Sequence, residues 1–560
     1  MGRTVAIGIQ NYGEIIEKNC FYVDKTSLIS EWWESMDSVT LIARPRRFGK
    51  TLSMSMLEHF FSVKYAGRED LFEGKVIWQE EKYRKLQGTY PVISLSFAGV
   101  KATNYTDVRK QIFQILEELY TNHTFLLESD NIEETDKEYF RRVSYRMDDA
   151  DAAVALHKLS KMMYLYYGKK AIILLDEYDT PLQEAYVSGY WPDLVAFVRT
   201  LFNSTFKTNP WLDRAIMTGI TRVSKESIFS DLNNLEVVTT TADKYATAFG
   251  FTEEEVFAAL DECGLGDQKA IVKKWYDGFT FGHQGDIYNP WSVLNFLDKG
   301  TVGTYWANTS SNSLVGKLIR EGNPRIKQVF EKLLNGESIH APIDEQIVYN
   351  QLDDNEDAIW SLLLASGYLK VLSFEKPVEI GAWETADYEL ALTNLEVHRM
   401  FYGMVRGWFS MTQGNYNGFV KALMRNDVEE MNAYMERVVK YSFSYFDTSA
   451  GQDEPERFYH GFVLGLIAEL TGEFVITSNR ESGFGRYDVM LEPRADRDAY
   501  ILEFKVYNPK KEKSLEETVE VALKQIEDRA YEDVLIAKGI VKDRIRKYGF
   551  AFAGKEVLIG

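Results

Sequence analysis

Short apolar runs alternate with amphipathic stretches along the first 240 residues. The apolar runs have the length and continuity of buried strands and occupy residues 39–42, 91–97, 171–175 and 214–222. The stretches between them carry apolar residues at helical spacing, at residues 52–62, 106–127 and 150–167. Strands that alternate with helices in this way predict an α/β fold with a parallel sheet covered by helices on both faces.

The pattern becomes mainly helical after residue 240. Residues 251–300 predict a helical lid, which opens with a capping box formed by Thr252 and Glu255. Its aromatic residues Trp275, Tyr276 and Trp291 either fill the core of this lid or form a platform for stacked bases. Residues 312–445 are largely helical, and residues 362–372 with the strand at 388–392 predict a small winged element.

A polar segment at residues 448–456, TSAGQDEPE, marks the clearest domain boundary. The sequence therefore predicts an α/β core at residues 1–240, a lid and middle region at 241–445, and a further domain at 446–560. That last domain begins with an amphipathic helix at 457–470. A Gly-rich turn and a strand at 482–493 follow, and then a strand at 499–506.

Composition narrows the class of protein. The 560 residues are 45% hydrophobic and 14% aromatic, which is enough for several cores and excludes a disordered chain. The net charge of −20 repels nucleic acid on average, so any contact with nucleic acid needs a local basic patch. Two distant cysteines exclude a disulfide framework, and no apolar run approaches 18 residues. We expect a cytoplasmic protein with no membrane partner.

Residues 38–60 combine a strand, a basic turn and a helix around Gly49, Lys50 and Thr51. This is the layout of a phosphate-binding loop, in which N–H groups at the helix start bind an anion. We expect Lys50 to reach the β- and γ-phosphates of ATP and Thr51 to bind Mg²⁺. The other residues of the predicted ATP site are Arg46, Arg47, Phe48 and Leu52.

One position departs from the usual G-x-x-x-x-G-K-[ST] pattern, because Arg44 replaces the first glycine. The alternative to a nucleotide site is a basic turn at the start of a surface helix.

An acidic pair follows the apolar run at residues 171–175. We expect Asp176 to bind Mg²⁺ through water and Glu177 to position or deprotonate the attacking water, since neighbouring strand residues point in opposite directions. The alternative is a strand that ends in a polar turn. On the next strand, Thr218 or Thr221 is placed to sense the γ-phosphate.

Arg222 is a candidate for stabilising transition-state charge, in cis or in trans, and action in trans requires a homo-oligomer. It is otherwise a solvated loop arginine.

Three charged residues near the C-terminus form a second candidate site. Glu503 and Lys505 are two apart on a strand and therefore share a face, and an antiparallel hairpin brings Asp488 to them. Two carboxylates can hold one or two Mg²⁺ ions, or Mn²⁺ in their place, which activate water, while the lysine orients it. The alternative is an ordinary strand with an exposed ion pair.

Several segments resemble the AAA-ATPase-like family. They are YVDKT (22–26), RPRRFGKTLSMSML (44–57), LLDEYDTPL (174–182) and TGITRVSKESIFSDLNNL (218–235). The likeness continues in FGFTEEEV (249–256), WYDGFTFG (275–282), IYNPWSVLNFL (287–297) and YWANTSSN (305–312). In that family an arginine at the position of Arg44 is normal, so the resemblance implies a P-loop ATPase with an additional central strand and a catalytic glutamate.

The C-terminal order of helix, GFGRYD, strand, EFK and helix resembles the PD-(D/E)XK nuclease superfamily, with Tyr487 where the signature has proline. The resemblance implies a metal-dependent nuclease fold. It makes His460 a further metal ligand, the alternative being a surface or core histidine. It also matches Gln525 and Tyr531 to a Gln…Tyr motif. The alternative helix acids are Glu456 and Glu469.

The function predicted from the sequence is therefore an ATPase that gates a metal-dependent nuclease acting on nucleic acid. Two alternatives stay open. One is an ATP-driven regulatory switch in which the nuclease fold only binds, and the other is an ATPase that acts on protein partners.

Overall fold

The computed structural model describes residues 3–221, 228–229, 232–307, 324–334, 336–344, 358–374, 387–409, 416–442, 473–482, 485–553 and 556–560, with isolated positions at 309–319 and 463–470. The chain forms two compact units. The first contains residues 1–311 and 340–397, and the second contains residues 312–339 and 398–560. The predicted boundaries at 240 and 446 stay predictions, and the second of them falls outside the described residues.

A five-stranded parallel sheet forms the centre of the first unit. Its strands are β1 Val39–Ala43, β2 Val92–Ser96, β3 Ala171–Asp176, β4 Leu212–Gly219 and β5 Leu235–Val238. Their order is β2-β3-β4-β1-β5, and each pairing is parallel. Strand β4 therefore separates the strand of the basic loop, β1, from the strand of the acidic pair, β3. The α/β fold class and the additional central strand are confirmed.

Helices accompany this sheet in the alternating order that the apolar pattern predicts. They are α1 Tyr12–Glu17, α2 Ser27–Ser35, α3 Lys50–Phe61, α4 Glu81–Arg84, α5 Tyr105–Thr121, α6 Glu134–Arg142, α7 Asp149–Tyr167, α8 Thr180–Ser188 and α9 Trp191–Phe202. Every residue of β1 and β3 is buried, as expected for central strands of a parallel sheet covered on both faces. Because parallel strands end at the same edge, the loops after β1, β3 and β4 converge.

The predicted lid contains a small sheet as well as helices. Its elements are β6 Phe251–Thr252, α10 Glu253–Glu262, α11 Lys269–Tyr276, β7 Phe279–Phe281, β8 Gln284–Tyr288 and α12 Pro290–Lys299. The capping box of Thr252 and Glu255 is confirmed, and Trp275 and Tyr276 are buried in the lid core. The small sheet of the lid was not predicted, because strands of two to five residues leave too short an apolar pattern to be recognised.

The winged element has three strands. They are β9 Ile339–Pro342, β10 Leu369–Phe374 and β11 Asp387–Leu392, in the order β10-β11-β9. The helix before β10, Ala358–Ala365, is almost wholly buried.

The second unit is built on a mixed sheet. Its strands are β12 Phe474–Ser482, β13 Gly485–Pro493, β14 Ala499–Val506, β15 Ile545–Ala553 and β16 Glu556–Ile559, in that spatial order. Helix α14 is the segment Ala358–Ala365 of the first unit. The helices of the second unit are α13 Pro324–Leu334, most of α15 Leu395–Phe409, α16 Tyr416–Arg425, α17 Val428–Ser442, α18 Leu515–Asp528 and α19 Glu532–Ile536. One apolar cluster joins the sheet to α16 and α17, and another joins it to α18 and α19.

Within the described part of the chain, no helix is both long and apolar enough to cross a membrane.

Candidate functional site

The basic loop between β1 and α3 ends at Gly49, the residue that precedes the helix. Gly49 has φ +85°, a conformation that glycine adopts without strain. Apart from Gly49 and its two neighbours in the chain, no described residue has a heavy atom within 4 Å of the position that a Cβ would occupy there. The unpaired N–H groups and positive dipole end of this 12-residue helix therefore adjoin open space. This arrangement can hold a phosphate.

Lys50 is buried although it carries a charge. Its ammonium group donates to the carbonyl oxygens of Arg44 at 2.9 Å and Pro45 at 3.0 Å. Its Nζ lies 3.9 Å from Oε1 of Glu177. The lysine is therefore held inside its own loop, beside the acidic pair, where a phosphate group can replace the carbonyl partners.

Arg44 explains how the loop manages without the first glycine. Its side chain is fully buried, lies 4.4 Å from the ring centre of Phe281, and donates to the carbonyl oxygens of Thr239 and Lys244. The guanidinium thus turns into the protein and fixes the loop to the segment after β5. It does not occupy the ligand side of the loop.

The two following arginines take different positions. Arg46 donates to the side-chain oxygen of Gln183 on α8 at 3.0 Å. Arg47 is exposed, has φ +64°, and stacks 4.5 Å from the ring centre of Trp291 on α12. Both guanidinium groups remain at the loop, so both can approach a nucleotide.

Phe48 and Leu52 differ from the arginines. The Phe48 ring is buried against Phe279 and Phe281, at centroid distances of 4.7 and 5.4 Å, so only its backbone is available to a ligand. Leu52 is half-buried in the first turn of α3.

Asp176 joins the loop helix to the strand edge. Its carboxylate accepts hydrogen bonds from the hydroxyl of Thr51, at 2.8 Å, and from the hydroxyl of Thr218. Burial raises the pKa of Asp176, and the bond from Thr218 opposes that rise. A threonine hydroxyl beside a carboxylate oxygen is a donor set that suits Mg²⁺, so these residues fit the predicted metal.

Glu177 faces the loop for a reason other than strand alternation. Strand β3 ends at Asp176, and Glu177 has φ +55° with its N–H donating to the Thr218 hydroxyl at 3.2 Å. This left-handed turn directs its carboxylate towards Lys50, and the Thr180 hydroxyl donates to it at 3.2 Å. Alternation along a strand was the wrong physical argument, because Glu177 lies beyond the strand.

Asp179 is a site residue that the sequence analysis missed. It is fully buried, and its Oδ2 accepts the N–H groups of Ile220 and Thr221 and the Thr221 hydroxyl, each at 2.9 Å. Gln183, the partner of Arg46, also donates to it at 3.2 Å. Asp179 therefore fixes the chain just after β4. Its signal was the third acid in the motif LLDEYD.

Thr218 and Thr221 now have distinct positions. Thr218 contacts both acids of the pair, whereas Thr221 bonds to Asp179. Gly219 lies between them, and a Cβ there would come within 2.7 Å of Asp179 Oδ1. Arg222 lies outside the described residues, so its role stays a prediction.

The lid and the winged element also contact the loop. Asn289 is fully buried and donates to the carbonyl oxygen of Arg46 at 3.3 Å, while its own side-chain oxygen accepts the N–H of Trp291 at the start of α12. A Cβ on Gly367 would come within 2.9 Å of Pro45. The motifs at 287–297 and 362–372 therefore pack against the basic loop.

The C-terminal residues come together as the hairpin prediction expects. Strands β13 and β14 are antiparallel, with Val489 opposite Leu502, so Asp488 lies across from Glu503. The Asp488 carboxylate accepts the N–H of Phe504 at 2.8 Å, and Lys505 donates to Glu503 at 3.2 Å.

Glu503 has the environment of a metal ligand. Its side chain is fully buried, and its Oε2 has no hydrogen-bond partner among the described residues. Burial raises the pKa of Glu503 to about 8, the charge of Asp488 adds to that rise, and Lys505 opposes it. A buried carboxylate oxygen without a partner is costly unless a cation binds it, so the set fits a divalent metal.

Gln525 and Tyr531 complete this cluster. The Gln525 amide on α18 donates to Glu503 Oε1 and lies 3.5 Å from the Tyr531 hydroxyl. The Gln…Tyr pair is thus assembled beside the two carboxylates. His460, Glu456 and Glu469 lie outside the described residues, so their roles stay predictions.

Comparison with known protein families finds one match in the N-terminal part of the chain and another in the C-terminal part. Residues 6–229 match a family described as predicted AAA-ATPase, and residues 454–560 match the PD-(D/E)XK nuclease superfamily. A relative from Azotobacter chroococcum mcd 1, named "Uncharacterized protein in vnfD 5'region", is 26% identical over 403 residues, which are 70% of this chain and 68% of the relative. The chain therefore joins an AAA-ATPase-like domain to a C-terminal domain of the PD-(D/E)XK nuclease superfamily.

Proposed function

We propose that this protein binds and hydrolyses ATP, and that ATP gates a Mg²⁺-dependent nuclease in its C-terminal domain. The observation that carries the proposal is that two sets of residues suited to catalysis are each assembled in this chain. The first is the loop lysine with the acidic pair, and the second is the carboxylate pair with its lysine.

In the ATPase-like domain, the N–H groups at the start of α3 and the Lys50 ammonium bind the phosphates. The oxygens of Thr51 and Asp176 would hold Mg²⁺, which would offset phosphate charge. Glu177, which is next to Lys50, orients the attacking water and accepts its proton. Asp179 acts as a positioning residue for the chain after β4.

In the nuclease-like domain, Asp488 and Glu503 would hold a divalent ion, which would supply an activated water and stabilise the leaving oxygen. Lys505, which is partly exposed beside Glu503, orients that water and offsets charge on the phosphate. Gln525 keeps the Glu503 carboxylate in place through its amide.

The proposal is tested by incubating the full chain with single- and double-stranded DNA and RNA, with Mg²⁺ or Mn²⁺, with and without ATP. Lys505→Ala is expected to abolish cleavage and leave ATP turnover intact. Lys50→Ala is expected to abolish ATP turnover and the ATP dependence of cleavage.

Two exposed lysines that lie in surface ion pairs serve as matched controls. Lys538→Ala, for the nuclease-like domain, and Lys85→Ala, for the ATPase-like domain, should leave both activities unchanged. Cleavage that persists in Lys505→Ala or without any divalent metal would contradict the nuclease assignment.

The net charge of −20 favours a second candidate, an ATP-driven switch whose nuclease fold binds without cleaving. ATP turnover without cleavage of any of the four substrates would select this second function.

A further inference from the structure

A lysine-rich loop follows the strand that carries Glu503 and Lys505. Strand β14 ends at Val506, and α18 begins at Leu515. The eight residues between them include Lys510, Lys511 and Lys513, all of which are exposed. None of the ion pairs among the described residues includes these three ammonium groups. We call residues 507–514 the lysine loop.

Several other cations of the same domain lie next to acids. The pairs are Lys538 with Glu492, Lys542 and Lys547 with Glu532, and Arg544 and Arg546 with Asp498. Their positive charge is neutralised within the protein, whereas the charge of the lysine loop remains available to a partner.

The one acid of the lysine loop is used by the loop itself. The Glu512 carboxylate accepts the N–H of Asn508 at 2.9 Å and the hydroxyl of Thr518 at 2.8 Å. At the other end, the Tyr507 N–H donates to the carbonyl oxygen of Phe552 at 2.8 Å. The loop is therefore tied to the sheet and to α18, and Glu512 does not bind the lysines.

The lysine loop lies close to the candidate metal site along the chain. Lys505 is two residues before Tyr507, and a strand rises about 3.3 Å per residue, so the loop starts about 7 Å beyond that lysine. Nucleotides of one DNA strand are spaced by about 3.4 Å along the helix axis. A loop that starts this close to Lys505 can reach phosphates a few nucleotides from a bond held at the candidate metal site.

We propose that Lys510, Lys511 and Lys513 form a surface that binds the phosphate backbone of a nucleic-acid substrate beside the cleaved bond. The inference rests on the proposed nuclease function. Lysine ammonium groups contact phosphates as point charges and carry no information about base sequence. This surface therefore holds the substrate in a chain that otherwise repels nucleic acid, and it does so independently of sequence.

The test measures binding of labelled single-stranded DNA, single-stranded RNA and duplex DNA to the full chain in Ca²⁺, by fluorescence anisotropy at several salt concentrations. The variant carries Lys510→Gln, Lys511→Gln and Lys513→Gln. The control carries Lys538→Gln, Lys542→Gln and Lys547→Gln, which change the net charge equally at paired lysines.

Loss of three phosphate contacts should reduce the slope of log affinity against log salt on duplex DNA by about 2.7. Raising the salt concentration from roughly 50 to 200 mM should then weaken DNA binding by the parent by a factor about 40 times larger than the factor for the lysine-loop variant. The control variant should keep the slope of the parent. An unchanged slope in the lysine-loop variant would overturn the inference.

Cleavage of a small phosphodiester, bis(p-nitrophenyl) phosphate, separates this inference from the proposed function. The lysine-loop variant should cleave it as the parent does, because so small a substrate has no backbone to bind. A parent that cleaves neither this compound nor nucleic acid contradicts the proposed function. A parent that binds polyglutamate but no nucleic acid would make the loop a protein-docking surface and would also overturn the inference.

Discussion

Buried carboxylates stand at the centre of both candidate sites. Asp176 and Asp179 lie at the edge of the parallel sheet, and Glu503 lies inside the second unit. Burying a charge is costly, and each of the three residues meets that cost differently. The two aspartates accept several hydrogen bonds, but Asp179 Oδ1 and Glu503 Oε2 each have no partner among the described residues. Glu503 also faces a second carboxylate, that of Asp488, so a bound cation would change the energetics most there.

Metal binding by the nuclease-like domain should depend on pH through Glu503. Its pKa is raised to about 8, so below pH 8 a proton competes with the metal. We expect the apparent affinity for Mn²⁺ to fall about tenfold for each pH unit below 8 and to level off above it, as measured by calorimetry. Lys505→Met should move the midpoint upward, because the lysine lowers this pKa. A midpoint near pH 4.5 in the parent would contradict the assignment.

Asp179 is expected to affect catalysis more than nucleotide binding. Asp179→Asn weakens the bonds that hold Ile220 and Thr221, so the chain after β4 shifts relative to the acidic pair. We expect kcat for ATP to fall by about 10- to 100-fold, with little change in KM. The exposed Asp261→Asn should behave as the parent. A larger effect on KM than on kcat would place Asp179 in nucleotide binding instead.

At the scale of elements, two helix N-termini converge on the basic loop between β1 and α3. Helix α3 begins within the loop itself, and the cap residue of α12, Asn289, donates to a loop carbonyl oxygen. The lid thus contacts the loop through Asn289, whose side chain accepts N–H groups at the start of α12 and also donates to the loop.

The double role of Asn289 can be separated from simple capping. Asn289→Ala should lower the stability of the first unit by about 1 kcal/mol through loss of the cap. It should also raise KM for ATP about fivefold, through loss of the bond to the Arg46 carbonyl oxygen. Asn104→Ala removes the equivalent cap of α5 and should lower stability without changing KM. Equal KM values for the two variants would show that Asn289 does not contribute to ATP binding.

Glu396, at the start of α15, ties that helix to the lid. Its buried carboxylate accepts the Ser292 hydroxyl at 2.7 Å and the N–H of Trp306 at 2.7 Å. Burial raises its pKa from 4.5 to about 7, and these hydrogen bonds oppose the rise. The folded protein therefore binds a proton between pH 4.5 and 7 that the unfolded chain does not bind.

Stability should consequently rise as pH falls through 7, by up to about 3 kcal/mol from this group alone. Urea unfolding at about pH 5.5 and about pH 8 checks this expectation. Glu396→Gln should remove most of the pH dependence, whereas the exposed Glu118→Gln should retain it. The prediction would be contradicted if the parent were less stable at the lower pH than at the higher pH and Glu396→Gln showed the same change in stability.

At the scale of the whole molecule, an ATPase-like domain and a nuclease-like domain share one acidic chain. The predicted role of Arg222 decides whether ATP turnover is a property of one copy or of several. If Arg222 acts in trans, specific ATPase activity should rise with protein concentration, and Arg222→Ala should restore activity when mixed with Lys50→Ala. Constant specific activity across concentrations, with no restoration on mixing, would assign Arg222 to a role within its own chain.

The chemistry and order of the elements are readable from the sequence because they depend on local patterns. Apolar runs at 39–42 and 171–175, the Gly49–Lys50–Thr51 turn and the period-2 spacing of Glu503 and Lys505 each fix a local conformation that needs no distant partner. These patterns suffice to predict the parallel sheet, the basic loop between strand and helix, and the carboxylate hairpin, all of which are present.

Tertiary structure alone decided how residues distant in sequence share these sites. The burial of Arg44 against the chain after β5, the left-handed turn at Glu177 and the bonds from Asp179 to residues 220 and 221 depend on contacts between separate elements. The unpartnered oxygen of Glu503 likewise depends on what α18 places beside β14. The sequence thus determined which groups are available and which local turns they occupy. Packing determined the neighbours of each group and the charge that it can carry, because burial and hydrogen bonding arise only when the chain folds.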